Sequence, residues 1–242
     1  MEEVKEEKFG SRKSKLKELL ISEKISFISN IWVITCRNAI NNDKNSRYLV
    51  CIEGVVINSE YEKIVENINS NISIINVKFD EENKNISINN IKTNQSGIIN
   101  YQQFKNRIIE ITKCEYIESF ALGSSESSPL SRFFREHMGK AFALTDIDFY
   151  LTGKQLFIEE KNFVLKDKGY IGIGQCISFK EIINDIFCNV KLIIVCIDND
   201  QYQIADLNNI NCGNFRIIDG WGKMVEFEVR KIIKTELINL IK

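Results

Sequence analysis

The chain is short of the residues that several kinds of chemistry need. It holds one histidine, His137, and one proline, Pro129, in 242 residues. With no Gly-x-Ser-x-Gly or comparable nucleophile setting, any hydrolase built on a histidine base would have to use His137, which reads as structural. The seven cysteines (Cys36, Cys51, Cys114, Cys176, Cys188, Cys196 and Cys212) include no C-x-x-C and no Cys/His cluster. That argues against structural zinc, and their apolar surroundings lead us to expect reduced, buried thiols in a cytoplasmic protein. Gly172-x-Gly174 lacks the third glycine of a dinucleotide fingerprint. No apolar run approaches the ~18 residues of a membrane span, and the opening MEEVKEEKFG is charged rather than a secretory leader, so no membrane partner is expected. A net charge of −1 gives no global nucleic-acid signature. Any such contact has to come from a local basic patch.

What is present suffices for a sizeable core, in one large domain or two small ones. The sharpest internal break is Gly123-Ser124-Ser125-Glu126-Ser127-Ser128, a small polar linker. It divides an N-terminal α+β module of unassigned role, 1–122, from a second domain, 123–242. The first begins with an amphipathic helix at 11–24, its Leu16, Leu19 and Leu20 on one side. Arg12, Lys13, Lys15 and Lys17 read as its solvated face rather than as phosphate contacts. Strands follow at 25–36 and 48–57, a short helix at 60–68, a hairpin from 72–79 to 86–91, and a helix at 98–113. In the second domain, Ser128 as N-cap and Pro129 at the first helical position open a helix that Gly139 ends. Further on come a helix at 175–189, an apolar strand at 190–197 suited to burial on both faces, a short strand at 215–218 and a helix from 223 to 241. Trp221, between glycines, reads as a core aromatic rather than a base-stacking one.

Residues 141–161, AFALTDIDFYLTGKQLFIEEK, read as a β-hairpin that carries acids in apolar surroundings. Ile147, Phe149 and Leu151 on one arm and Leu156 and Ile158 on the other mark one pleat face. Asp146, Asp148, Glu159 and Lys161 fall on the other. A two-residue loop at Gly153-Lys154, with Gly153 at the positive-φ position of a type II′ turn, pairs Asp148 with Glu159. A Thr152-Gly153 loop would pair Asp146 with Glu159, but it asks a β-branched residue for positive φ. Opposed residues have Cβ atoms about 4.5–5.5 Å apart, where like charges repel unless a cation binds them.

Asp148 on one strand, with Glu159-x-Lys161 on the next, resembles the core motif of the PD-(D/E)xK nuclease superfamily. Glu136, on the helix before the hairpin, lies where many members carry an accessory acid. Gln175, in Gly172-Ile173-Gly174-Gln175, lies where several branches place a glutamine. The resemblance covers 127–198. It implies an α/β fold with a restriction-endonuclease-like αβββαβ core, a mixed central sheet flanked by helices, beside the N-terminal α+β module. The further strand would come from 170–173 or from 211–218.

The same resemblance implies Mg2+ (or Mn2+) held by Asp148, Glu159 and the backbone carbonyl of Glu160. Lys161 would orient or deprotonate a water, and Gln175 would help position Lys161 or the substrate strand. Asp146 is the rival to Asp148, or a further ligand. Arg132, Arg135 and Lys140 beside Glu136 are either its ion-pair partners or phosphate contacts. The expected activity is hydrolysis of phosphodiester bonds in DNA, in a restriction, repair or defence setting. A homodimer is compatible with it, since cutting both strands commonly takes two sites. Two alternatives differ in kind: a catalytically inactive nuclease-fold protein that binds nucleic acid or assembles with partners, and a purely structural interaction protein.

Overall fold

Apolar residues recurring at period two dominate the chain, and most of its regular structure is strand. The computed structural model describes residues 14–36, 48–54, 58–90, 95–114, 128–161, 164–165, 168–187, 190–198, 201–218 and 222–242. The N-terminal part runs α1 (Lys15–Ser22), β1 (Phe27–Cys36), β2 (Tyr48–Glu53), α2 (Asn58–Glu66), β3 (Ser73–Asp80), β4 (Asn85–Asn90), β5 (Gln95–Asn100) and α3 (Tyr101–Thr112). Next come α4 (Pro129–Phe133), which widens into a π-turn through Met138, then β6 (Phe142–Leu151) and β7 (Leu156–Lys161). After these lie β8 (Val164–Leu165), β9 (Lys168–Gly172), α5 (Ile173–Glu181), β10 (Lys191–Asp198) and β11 (Gln201–Asp206). The chain closes with β12 (Phe215–Ile218), β13 (Gly222–Glu228), β14 (Arg230–Ile232) and α6 (Lys234–Ile241).

Ten strands form one mixed sheet in the order β14-β11-β10-β7-β6-β1-β2-β3-β4-β5. β1 is antiparallel to both β2 and β6, and β6 is antiparallel to β7. β7 and β10 run parallel, so the chain must cross over between them, and α5 lies in that crossover. A smaller sheet, β12-β13-β9-β8, is interposed between β7 and the C-terminus.

Helices cover both faces of the large sheet. On one face α2 and α5 close a core with Ile31, Val50, Ile64, Tyr150, Phe157, Phe179 and Ile194. The other face has two parts. Phe104 and Ile108 of α3 and Leu130 and Phe133 of α4 pack with Ile34, Leu49, Ile75 and Ile86. Leu16, Leu19 and Leu20 of α1 and Leu237 and Ile241 of α6 pack with Phe149, Ile158, Ile193 and Val195. The fold is thus mixed α/β, a large mixed sheet between helices.

Several expected elements take a different form. The strand neighbouring the acidic hairpin is β1, whereas 170–173 and 211–218 contribute to the small sheet instead. Between 95 and 100 the chain is strand β5, and the helix expected from 98 begins at Tyr101, where Asn100 and Gln103 form a capping box. The helix expected from 223 is β13 and β14 until Lys234, because Val225 and Phe227 alternate inward against Glu226 and Glu228. The helix expected at 175–189 starts at Ile173 and gives way after Glu181 to a π-turn. The division at 122/123 coincides with no break in the sheet: β1 pairs along nearly its whole length with β6. Residues 123–127 of the linker, and Trp221, lie outside the described residues.

The cysteines also depart from expectation. Cys36, ending β1, is bonded to Cys114 beyond α3, and Cys176 on α5 is bonded to Cys212 in the turn before β12. Cys51 and Cys196 are free and buried; Cys188 lies outside the described residues. No described helix is long and apolar enough to cross a membrane.

Candidate active site

β6 and β7 are joined by a four-residue turn, 152–155, in which the Lys154 N–H donates to the Leu151 carbonyl at 3.2 Å. The positive φ falls on Gln155, at 50°, rather than on Gly153. The turn therefore differs from the expected type II′ loop at Gly153-Lys154, yet the register is the one that loop implies: Leu151 with Leu156, Tyr150 with Phe157, Phe149 with Ile158. The ladder stops there, one position before Asp148 and Glu159. Beyond that point a backbone donor of β7 would lack a partner in β6. Asp148 supplies one, its Oδ2 accepting from the Glu160 N–H at 2.7 Å.

The place where Asp148 sits is irregular on the other side too. In the β1–β6 ladder Ser29 pairs with Phe149 and Ile31 with Ile147, but no pair joins Asn30 to Asp148. Asn30 has a left-handed φ of 58°, a conformation asparagine tolerates better than most residues. Side-chain alternation slips in both strands at this level. Ile28 and Ile31 share one core, as do Ile147 and Tyr150, although each pair is three residues apart. Phe149 and Leu151 face the opposite core, with α1 and α6. The single apolar face expected for Ile147, Phe149 and Leu151 is therefore divided between the two sides of the sheet.

β7 keeps strict alternation. Leu156 and Ile158 face α1 and α6, and Phe157 faces α5. Glu159 and Lys161 follow Phe157 toward α5. There Glu159 is 2 % exposed, and its Oε1 accepts hydrogen bonds from Lys161 Nζ and, at 3.0 Å, from Gln175 Nε2. Its Oε2 is buried without a hydrogen-bond donor among the described residues. Glu160, pointing the other way, accepts from the hydroxyl of Ser14, the N-cap of α1. The two neighbouring acids of β7 thus tie helices to both faces of one strand.

The electrostatics follow from this packing. Burial pushes the Glu159 carboxyl up to about 8, and the charges of Asp148 and Asp146 push the same way, against Lys161. Burial also raises Asp148 to about 6; the Glu160 N–H opposes it and the Asp146 charge adds to it. For Lys161, burial disfavours the ammonium, but Glu159 first, then Asp148 and Asp146, outweigh burial and raise its pKa. One half-buried cation is shared among three acids.

Asp148, Glu159, Lys161 and Gln175 are therefore brought together, with Asp146 close enough to act on the first three. Gln175 bonds Glu159 rather than Lys161. Glu136 is exposed and stands elsewhere: its Oε2 lies 3.9 Å from Nε2 of His137, whose pKa burial holds below the usual imidazole value, and its field acts on Tyr101, Arg132 and His137. Arg132 is engaged by Glu81, its Nη2 lying 2.6 and 2.7 Å from the two carboxylate oxygens. Arg135 is half-buried on the π-turn after α4, and the side chain of Lys140 lies outside the described residues.

Sequence reasoning missed Ser14, Asn30 and Trp32 as neighbours of the site. The three-residue spacing of Ile28 and Ile31 was the available signal, because it breaks period two within a strand. Among the described residues no group of three or more His, Cys, Asp and Glu side chains is arranged to hold a metal ion. A cation here would rest on two carboxylates, and Mg2+ bound through one or two carboxylates usually keeps several of its waters. The unpartnered Oε2 of Glu159 and the raised pKa values of both acids fit such an ion. Compared with family models, curated proteins and solved structures, the chain matches none of them.

Proposed function

We propose that this protein is a metal-dependent nuclease hydrolysing phosphodiester bonds in DNA, with a restriction-endonuclease-like core. The observation that carries the reading is the setting of Glu159. Its buried carboxylate is bonded on one oxygen by Lys161 and Gln175, unpartnered on the other among the described residues, and next to a second, half-buried acid on the adjoining strand. Burying two acids around one lysine is unfavourable unless a further positive charge joins them.

The order of elements supports the same reading. Along the chain α1, β1, β6, β7, α5 and β10 run αβββαβ, with β2 to β5 and their helices inserted between the first two strands. In space β1, β6, β7 and β10 are consecutive neighbours. The first strand of the core comes from upstream of the supposed linker, rather than from the segments after β7.

Asp148, Glu159 and the Glu160 carbonyl are the groups that would hold Mg2+ or Mn2+. The ion's chemistry there is to activate a water and to offset charge on the phosphate. Lys161, held as an ammonium by its acid neighbours, orients the water and the phosphate rather than taking a proton. Gln175 fixes the rotamer of Glu159. Asp148 holds the end of β7 through the Glu160 N–H, so the two acids keep their spacing before any ion arrives.

The test is cleavage of plasmid and single-stranded DNA in Mg2+ or Mn2+ by wild type, Asp146→Ala, Asp148→Asn and Lys161→Ala. Asp148→Asn keeps an oxygen for the Glu160 N–H, and we expect it to retain the wild-type melting temperature, whereas Lys161→Ala, which strips the buried Glu159 of its cation, should melt lower; both should lose at least about 100-fold in rate. Cleavage surviving in Asp148→Asn at the wild-type rate would overturn the assignment.

A further inference from the structure

Beside the acid pair lies a cleft of about 170 Å³ lined by Lys17, Ser29, Asn30, Trp32, Asp146 and Asp148, of which the chemistry above uses only Asp148. Its walls are held in place. On one side α1 rests on β7, on the face opposite to Glu159 and Lys161, through its buried leucines and through the Ser14 hydroxyl on Glu160, so the cleft meets the acid pair at Asp148. Lys17 stands one turn along that helix, its backbone N–H bonded to the Ser14 hydroxyl oxygen at 2.9 Å. Its side chain is exposed and has no ion pair among the described residues.

Across the cleft, the indole N–H of Trp32 donates to Glu53 at 3.1 Å, and the other oxygen of Glu53 accepts from the Leu130 N–H at the start of α4. The indole is thereby anchored at its edge and remains half-buried. At the level of Asp148 the left-handed backbone of Asn30 interrupts the β1–β6 ladder. Asn30 is exposed there, and it lines the cleft together with Lys17 and Trp32.

A free ammonium, an exposed amide and an anchored aromatic around one opening is the combination that binds a nucleotide of a single strand. The cation takes a backbone phosphate, and stacking on an indole needs a base outside its duplex. We propose that this cleft is the subsite for the nucleotide next to the scissile bond, with Lys17 on its phosphate, Asn30 on its sugar-phosphate edge and Trp32 against its base. The proposal rests on the nuclease reading and narrows it to DNA that is single-stranded or unpaired at the cut.

The experiment compares steady-state cleavage of a single-stranded oligonucleotide and its duplex, in Mg2+ at several salt concentrations, by wild type, Lys17→Ala, Lys17→Arg and Trp32→Leu. The expected results are faster cleavage of the single strand by wild type and a KM for it that rises more than kcat falls in Lys17→Ala and Trp32→Leu. The salt dependence of log(1/KM) should flatten by about 0.7 in Lys17→Ala, as loss of one phosphate contact requires for a single strand, and be restored in Lys17→Arg. Oligonucleotide should also quench tryptophan fluorescence in a Trp221→Phe background. An unchanged KM and salt slope in Lys17→Ala, beside normal cleavage, would remove the subsite and leave the nuclease. A wild type that cuts no DNA would remove the nuclease reading itself, and the subsite with it.

Discussion

Glu159 shows how burial and a neighbouring acid act together on one carboxyl. Its side chain is almost wholly enclosed, and both burial and the neighbouring Asp148 favour the protonated form. An acid whose folded pKa is raised stabilises the fold fully only below its unfolded pKa, and that contribution is lost as pH rises through the folded value. Asp148, at about 6, and Glu159, at about 8, act in the same direction. Metal-free protein should therefore lose stability, on the order of a few kcal/mol, as pH climbs from about 4 to above 8. Urea unfolding in chelator at a series of pH values measures this, and Glu159→Gln should flatten the curve at its upper end. A stability that rises over the same interval would mean that Lys161 already satisfies the acids. The acids themselves were legible in the sequence, as were Lys161 and Gln175, because Glu-x-Lys on a strand and a glutamine on the next helix converge by alternation and crossover alone. Whether each is buried was not legible, since that depends on which helix covers the strand.

Between β1 and β6, the irregularity at Asn30 and Asp148 is an element-level device. Asn30 adopts φ 58° in the middle of a strand, and the alternation of both strands slips beside it. Left-handed backbone costs most residues roughly 1–2 kcal/mol, asparagine less and glycine least. Asn30→Gly should therefore keep the urea midpoint within experimental error, whereas Asn30→Val should lower stability by about 1–2 kcal/mol. Equal midpoints for the two variants would show that the conformation is not required. The slip explains why the hairpin was read correctly in register but incorrectly in faces. Apolar residues at Leu156, Phe157 and Ile158 fix the pairing, while period-two reasoning cannot foresee a phase change imposed from a strand more than a hundred residues upstream. The C-terminal misreading has a more local cause. Residues 222–228 alternate at period two, but their mixture of Glu, Lys and Val also fits a short amphipathic helix, and pairing with β9 and β12, continued by β14 on β11, decides the matter.

For the whole molecule, the sheet joins what composition divides: β1 and β6 pair across the expected division at 122/123. Composition reports chain exposure, not which strand pairs with which, so the β1–β6 pairing was not legible in it. A fragment of residues 123–242 expressed alone should fail to fold, with β6 stripped of β1 and the core on α1 opened; a cooperative melting transition from that fragment would contradict the continuous sheet. The proposed function requires that Asp148 and Glu159 jointly hold a divalent cation. The direct measurement is calorimetric titration of Mn2+ into metal-free protein near neutral pH, in two buffers of different ionisation enthalpy. Ions that displace protons from carboxyls raised to about 6 and 8 must release them to the buffer. We predict saturable binding with proton release, abolished in Asp148→Asn and in Glu159→Gln; no binding, or equal binding by wild type and both variants, would contradict the cation site.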